Sequence, residues 1–89
     1  MSKAERKKEM DECLRTALKK YHATSGLTQE VVAEKLEMTP RACSALENGE
    51  YGFSAFSIFM LFALLPWKER MSLLLELCDI ATRPDSKAA

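Results

Sequence analysis

The chain has few glycine and proline residues, with only three of each among 89. Tight hairpin turns depend on these residues, and no segment alternates polar and apolar side chains as a half-buried strand does, so a β-rich fold is disfavoured. A single histidine and three cysteines without a CxxC pair argue against a zinc site. Hydrophobic residues make up 47% of the chain and charged residues 29%, so we expect a globular, all-helical protein.

Signals for export or membrane insertion are also missing. The amino terminus is charged, with no apolar stretch behind it. The uncharged run from Tyr51 to Trp67 is interrupted by Gly52, two serines and Pro66, and it falls short of the ~20 apolar residues of a membrane-spanning helix. We therefore expect a cytoplasmic protein with no membrane partner, whose cysteines are reduced core thiols.

Helix boundaries are marked along the chain by capping residues. Glycines at 26 and 49 suit helix ends, and Pro40 requires the second helix to stop before the residue that precedes it. We expect one domain over 1–82, with a two-helix unit over 28–48, helices over 55–65 and 66–82, and a flexible tail over 83–89. Four residues are predicted N-caps: Ser2 (in a capping box with Glu5), Thr28, Thr39 and Ser54.

Two short helices joined by a three-residue turn satisfy the geometry of a helix-turn-helix. The stretch from Leu27 to Gly49, LTQEVVAEKLEMTPRACSALENG, resembles the DNA-binding domains of phage-repressor-like (XRE-type) transcriptional regulators, chiefly at 28–30, 33–36 and 46–49. The resemblance implies an all-α, five-helix, lambda-repressor-like domain. Its third helix would lie in the major groove of double-stranded DNA.

The same resemblance assigns DNA-contacting positions to residues on both helices of the unit. Arg41 is either a bidentate partner of guanine, worth roughly 1–3 kcal/mol of discrimination, or a solvated charge. Gln29 contacts a phosphate or is a surface amide, and Asn48 caps the third helix or contacts a phosphate. Capping is the favoured role of Thr39. The full expected set is Gln29, Thr39, Arg41, Ser44, Ala45 and Asn48, with Ala45 able to touch only a thymine methyl group.

The turn and the charge pattern depart from the family. Glu37 stands where the family usually has glycine, so it either adopts a left-handed conformation, at a cost of about 1 kcal/mol, or the turn differs. Glu34, Glu37 and Glu47 would repel phosphate if they faced it. Net charge is zero overall, but residues 1–24 carry +3, residues 25–49 carry −2 and residues 50–89 carry −1.

The positive first segment has two interpretations. Its basic residues grip phosphate as an arm, or they begin a solvated helix whose acidic residues balance them. The basic residues are Lys3, Arg6, Lys7 and Lys8, and the acidic ones are Glu5, Glu9, Asp11 and Glu12.

The fourth and fifth predicted helices are apolar on more than one side. Helices of this kind must be buried on nearly all sides, and 89 residues offer little cover, so we expect a homodimer rather than the alternative monomer. A core stripe would comprise Ala55, Ile58, Phe59, Phe62 and Leu65. The expected interface comprises Phe56, Met60, Ala63, Trp67, Leu73, Leu77 and Ile80.

These patterns favour a sequence-specific, dimeric DNA-binding transcriptional regulator without a cofactor, metal or small-molecule substrate. The alternative is a protein-interaction module, antitoxin-like or an accessory subunit, that keeps the fold and binds DNA weakly or not at all. An enzyme is not expected, because no nucleophile is paired with a base and His22 has a basic, exposed context.

Overall fold

The computed structural model describes residues 1–84, which form five helices and no strand. This confirms the expected all-α, five-helix class. The helices are α1 (Lys3–Ser25), α2 (Gln29–Lys35), α3 (Pro40–Asn48), α4 (Ala55–Leu64) and α5 (Trp67–Thr82).

Side-chain caps start the first four helices where the sequence predicts. Ser2 and Glu5 complete a capping box, and Thr28, Thr39 and Ser54 each accept a hydrogen bond from the backbone N–H three residues ahead. α1 stops at Gly26, one of the two glycines expected at helix ends, and its φ of 71° is left-handed. Pro66 is the N-cap of α5 rather than its first residue.

The core lies where α1 packs against both α3 and α5, with α2 packed on α3. Leucines dominate it because they fill the space between crossing helices in low-energy rotamers. Its buried residues are Leu14, Leu18, Val32, Ala33, Leu36, Cys43, Leu46, Leu61, Leu65 and Leu73.

The side of α5 that faces the core carries the residues that were expected at a dimer interface. Leu73 and Ile80 are only 4% and 6% exposed, and Leu77 packs against the core beside them. Their assignment to an interface is therefore wrong. The opposite side carries the exposed apolar residues Met71, Leu74, Leu75 and Cys78.

Polar contacts join the start of α1 to the end of α5. Arg83 forms ion pairs with Glu9 (2.8 Å) and Asp79 (2.9 Å), and Arg6 donates to the carbonyls of Ile80 and Ala81. Arg83, expected to begin the tail, is thus tied to two helices, and the hydrogen bonds raise its pKa above the ordinary value. The rest of that tail, 85–89, lies outside the described residues. Within residues 1–84, no helix has the length and apolar composition needed to cross a bilayer.

Two leucines on α5 test this orientation. We expect Leu73→Ala to lower the free energy of unfolding by roughly 2–5 kcal/mol, because it opens a cavity in the core. The matched change Leu75→Ala, at a side chain that is 65% exposed, should cost less than about 0.5 kcal/mol. Urea denaturation of dilute protein measures both, and equal losses would contradict the assigned face.

Candidate nucleic-acid interface

The α2–α3 unit is held together by close packing at its crossing. Ala33 and Cys43 have no exposed surface, and Leu36 and Leu46 are buried beside them. The N–H of Met38 donates to the carbonyl of Ala33 (3.0 Å), which closes the turn between the helices. A larger side chain than alanine at 33 would push the two helices apart.

Glu37 occupies the left-handed region in this turn, with φ of 56°. The first of the two expected alternatives is therefore confirmed: the turn keeps the geometry that favours glycine, and glutamate adopts it. Among residues 1–84 it is the single non-glycine residue with positive φ. The strain is local, since Glu37 is exposed and its N–H donates to the carbonyl of Glu34 (3.0 Å).

The outward side of α3 presents a short polar stripe. Arg41, Ser44 and Asn48 follow one another at three- and four-residue spacing, so they share one face of the helix. The Asn48 amide donates to the Ser44 hydroxyl (3.3 Å), and Arg41 is exposed. Thr39 accepts from the N–H of Ala42 (3.1 Å), which confirms its capping role.

Ala45 does not belong to this stripe. Only 7% of it is exposed, because residue 45 lies on the side of α3 that carries the core residue Leu46. A buried methyl group cannot contact thymine, so the expected base contact of Ala45 is wrong.

The amino-terminal end of α2 presents a second polar position. Gln29 is the first residue of this helix and is half-buried. Thr28 satisfies one of the free amides of the first turn by accepting from Val31 N (3.3 Å). The amides left over and the positive end of the helix dipole favour an anion beside Gln29.

Two polar contacts that sequence reasoning missed anchor α3 to α1. Arg15 Nε donates to the carbonyl of Leu46 (3.0 Å), and His22 Nδ1 donates to Glu47 Oε1 (2.8 Å). His22, expected to face solvent or cap α1, is instead partly buried against α3. Both partners lie more than 20 residues away in sequence, so no local pattern identifies the pairs.

The cysteines occupy three different environments. Burial, followed by the charge of Glu47, raises the pKa of the Cys43 thiol to about 11, and burial with the Glu76 hydrogen bond raises the pKa of Cys13 to about 12. Both are therefore protonated at neutral pH. Cys78 is exposed, so its expected core placement is wrong. No metal-binding cluster of His, Cys, Asp or Glu occurs within residues 1–84.

The comparisons with known proteins agree with this geometry. A family model described as helix-turn-helix matches residues 18–65, more than half of the chain. The chain belongs to the XRE-type helix-turn-helix family. It is thus a DNA-binding regulator of the helix-turn-helix class. No curated protein and no solved structure matches it significantly.

Apolar side chains on α4 and α5 remain uncovered in this helix-turn-helix protein. Phe56 and Trp67 are 58% and 71% exposed, and Ala63 is exposed, as expected of interface residues, whereas Met60 packs partly on the core. Phe59, expected in the core, is 73% exposed, and Ala55 of the same expected stripe is exposed too. We define the outer apolar face as Phe56, Phe59, Ala63, Trp67, Met71 and Leu74.

Substitution of Glu37 tests the strain in the turn. We expect Glu37→Gly to raise the free energy of unfolding by about 1 kcal/mol, because glycine adopts positive φ without a steric cost. The matched change Glu34→Gly, inside α2, should lower it by about 0.5–1 kcal/mol. Thermal denaturation would show shifts of opposite sign in the melting temperatures of the two variants. A lower melting temperature for Glu37→Gly would contradict the strain.

Proposed function

We propose that the protein is a sequence-specific transcriptional regulator that binds the major groove of duplex DNA as a homodimer. The observation that carries this proposal is the polar Arg41–Ser44–Asn48 stripe on a helix fixed to the domain by its opposite side; Arg41 and Asn48 are exposed and Ser44 is half-buried. An α-helix fits the major groove, and side chains on one of its faces can contact neighbouring base pairs and the adjoining phosphate backbone.

Each polar residue has a distinct role in this proposal. Arg41 donates to the O6 and N7 atoms of guanine, and Ser44 contacts a neighbouring base. Thr39 caps α3 and borders the groove, while Gln29 and Asn48 donate to phosphates on the two sides. Glu47 does not oppose this binding, because its carboxylate is mostly buried and paired with His22. Glu34 and Glu37 remain exposed and weaken it.

A second copy of the chain is the proposed occupant of the outer apolar face. An exposed set of two phenylalanines, a tryptophan, a methionine and a leucine is more apolar surface than a small monomer usually presents to water. Pairing through one face of each copy gives two-fold symmetry, the arrangement in which dimeric regulators present two such helices to successive turns of the major groove.

An alternative function is a protein-interaction module, antitoxin-like or an accessory subunit. The net charge of −2 over residues 25–49 and the outer apolar face favour it. In that case the outer apolar face binds another protein and α3 contributes little to affinity for DNA.

DNA binding is tested first with random-sequence duplexes and then with sequences selected from a random pool. We expect Arg41→Ala to weaken binding to the selected site by roughly 1–3 kcal/mol, with little loss on random duplex. Lys68→Ala, at an exposed lysine of α5, is the control. Absence of any mobility shift at roughly 100 µM protein in low salt would favour the interaction module.

The dimer is tested by light scattering of dilute protein. We expect a mass twice that of the 10.0 kDa chain. Phe59→Ser should reduce this to a single chain without loss of helix content, because Phe59 is exposed in the protomer. Val31→Ser, at an exposed apolar residue of α2, should remain dimeric. A wild-type mass of one chain at micromolar concentration would reject the dimer.

A further inference from the structure

An open recess lies between α1 and the segment that follows α3. α1 forms one wall and contributes three basic residues to it. The end of α3 and the following loop form the other wall. The lining residues include Lys7, Lys8 and Arg15 from α1, and Asn48, Gly49 and Tyr51 opposite them. Asp11 and Glu12 also lie along the wall formed by α1.

This recess continues the polar stripe of α3. Asn48 is both the last residue of the stripe and part of the recess lining. With a rise of 1.5 Å per residue, Asn48 lies about 10 Å along the helix axis from Arg41. The major groove is about 12 Å wide, so this separation is large enough for the recess to meet phosphates at the edge of the groove when Arg41 faces the bases.

The loop itself supplies no positive charge at this place. Residues 49–54 contain no lysine or arginine, and their one charged side chain is Glu50. The Tyr51 hydroxyl donates to the carbonyl of Ala42 (3.2 Å), which fixes the loop against α3. Cations that meet a phosphate here must therefore come from α1.

Most other charged groups around the recess already have partners. Asp11 Oδ1 accepts from the N–H of Phe53 (3.2 Å), and Arg15 Nε donates to Leu46. Arg6 is engaged with the carboxyl end of α5. By contrast, Lys7 and Lys8 are exposed and form no ion pair with any residue in the described part of the chain.

We infer that Lys7 and Lys8 form a second phosphate-binding site for DNA, fixed on α1 beside the carboxyl end of α3. This inference rests on the proposed DNA-binding function and names contacts beyond it. The lysines act from a rigid position, because α1 is already helical at Lys3 and begins with a capping box. They are therefore not a flexible arm. Glu12, on the same wall, reduces the net charge and limits the affinity.

The salt dependence of binding to a random-sequence duplex tests the site. Lys7→Gln and Lys8→Gln remove the charge and keep the stem of the side chain. Each should reduce the slope of log affinity against log salt by about 0.9 for every phosphate that the variant no longer neutralises, and the double variant by about twice as much. Lys7→Arg/Lys8→Arg should retain the wild-type slope, and Lys68→Gln is a matched control on α5.

The outcomes separate this inference from the function on which it rests. A wild-type slope in the Lys7→Gln/Lys8→Gln variant, with wild-type DNA binding intact, overturns the second site alone. The second site is also overturned if Lys68→Gln reduces the salt slope by as much, per charge removed, as the double variant does. Such a result would report only a long-range charge effect. Failure of the wild-type protein to bind any duplex at low salt overturns both. Circular dichroism verifies that each variant keeps its helices.

Discussion

The close crossing of α2 over α3 is the constraint on which the rest of the molecule depends. It requires a fully buried alanine at 33, and it fixes which side of α3 is covered. Once Cys43 and Leu46 point into the core, Arg41, Ser44 and Asn48 must point away from it. The left-handed Glu37 is a consequence of the same geometry, because a connection of only four residues, 36–39, between these helices leaves little choice of backbone conformation.

α1 connects the parts of the domain because it packs against both α3 and α5. Arg15 and His22 hold α3 from one side of the helix, while Arg6 and Glu9 hold the end of α5. These contacts also give several charged side chains a partner within the domain. A chain with zero net charge can approach a polyanion when some of its carboxylates, here Glu9 and Glu47, are paired within the domain and lysines remain exposed.

The apolar content of α5 exceeds what one neighbouring helix can cover. Packing on α1 buries the side that carries Leu73 and Ile80, and it leaves Met71 and Leu74 exposed. The proposed partner rests on the exposed apolar side chains of α4 and α5, and that proposal does not depend on the α2–α3 unit.

The sequence by itself determined the five helices and the starts of the first four, because capping is local: Thr39, Pro40 and Gly49 act on amides and carbonyls within one turn of themselves. The resemblance to a known family supplied the polar positions Arg41, Ser44 and Asn48 of α3, together with Ala45, which proved to be buried. Tertiary structure alone decided which apolar side of α5 is buried, that Ala45 is covered, and that His22 meets Glu47. Two apolar stripes of similar composition have similar transfer free energies, so only the position of the neighbouring helices selects between them.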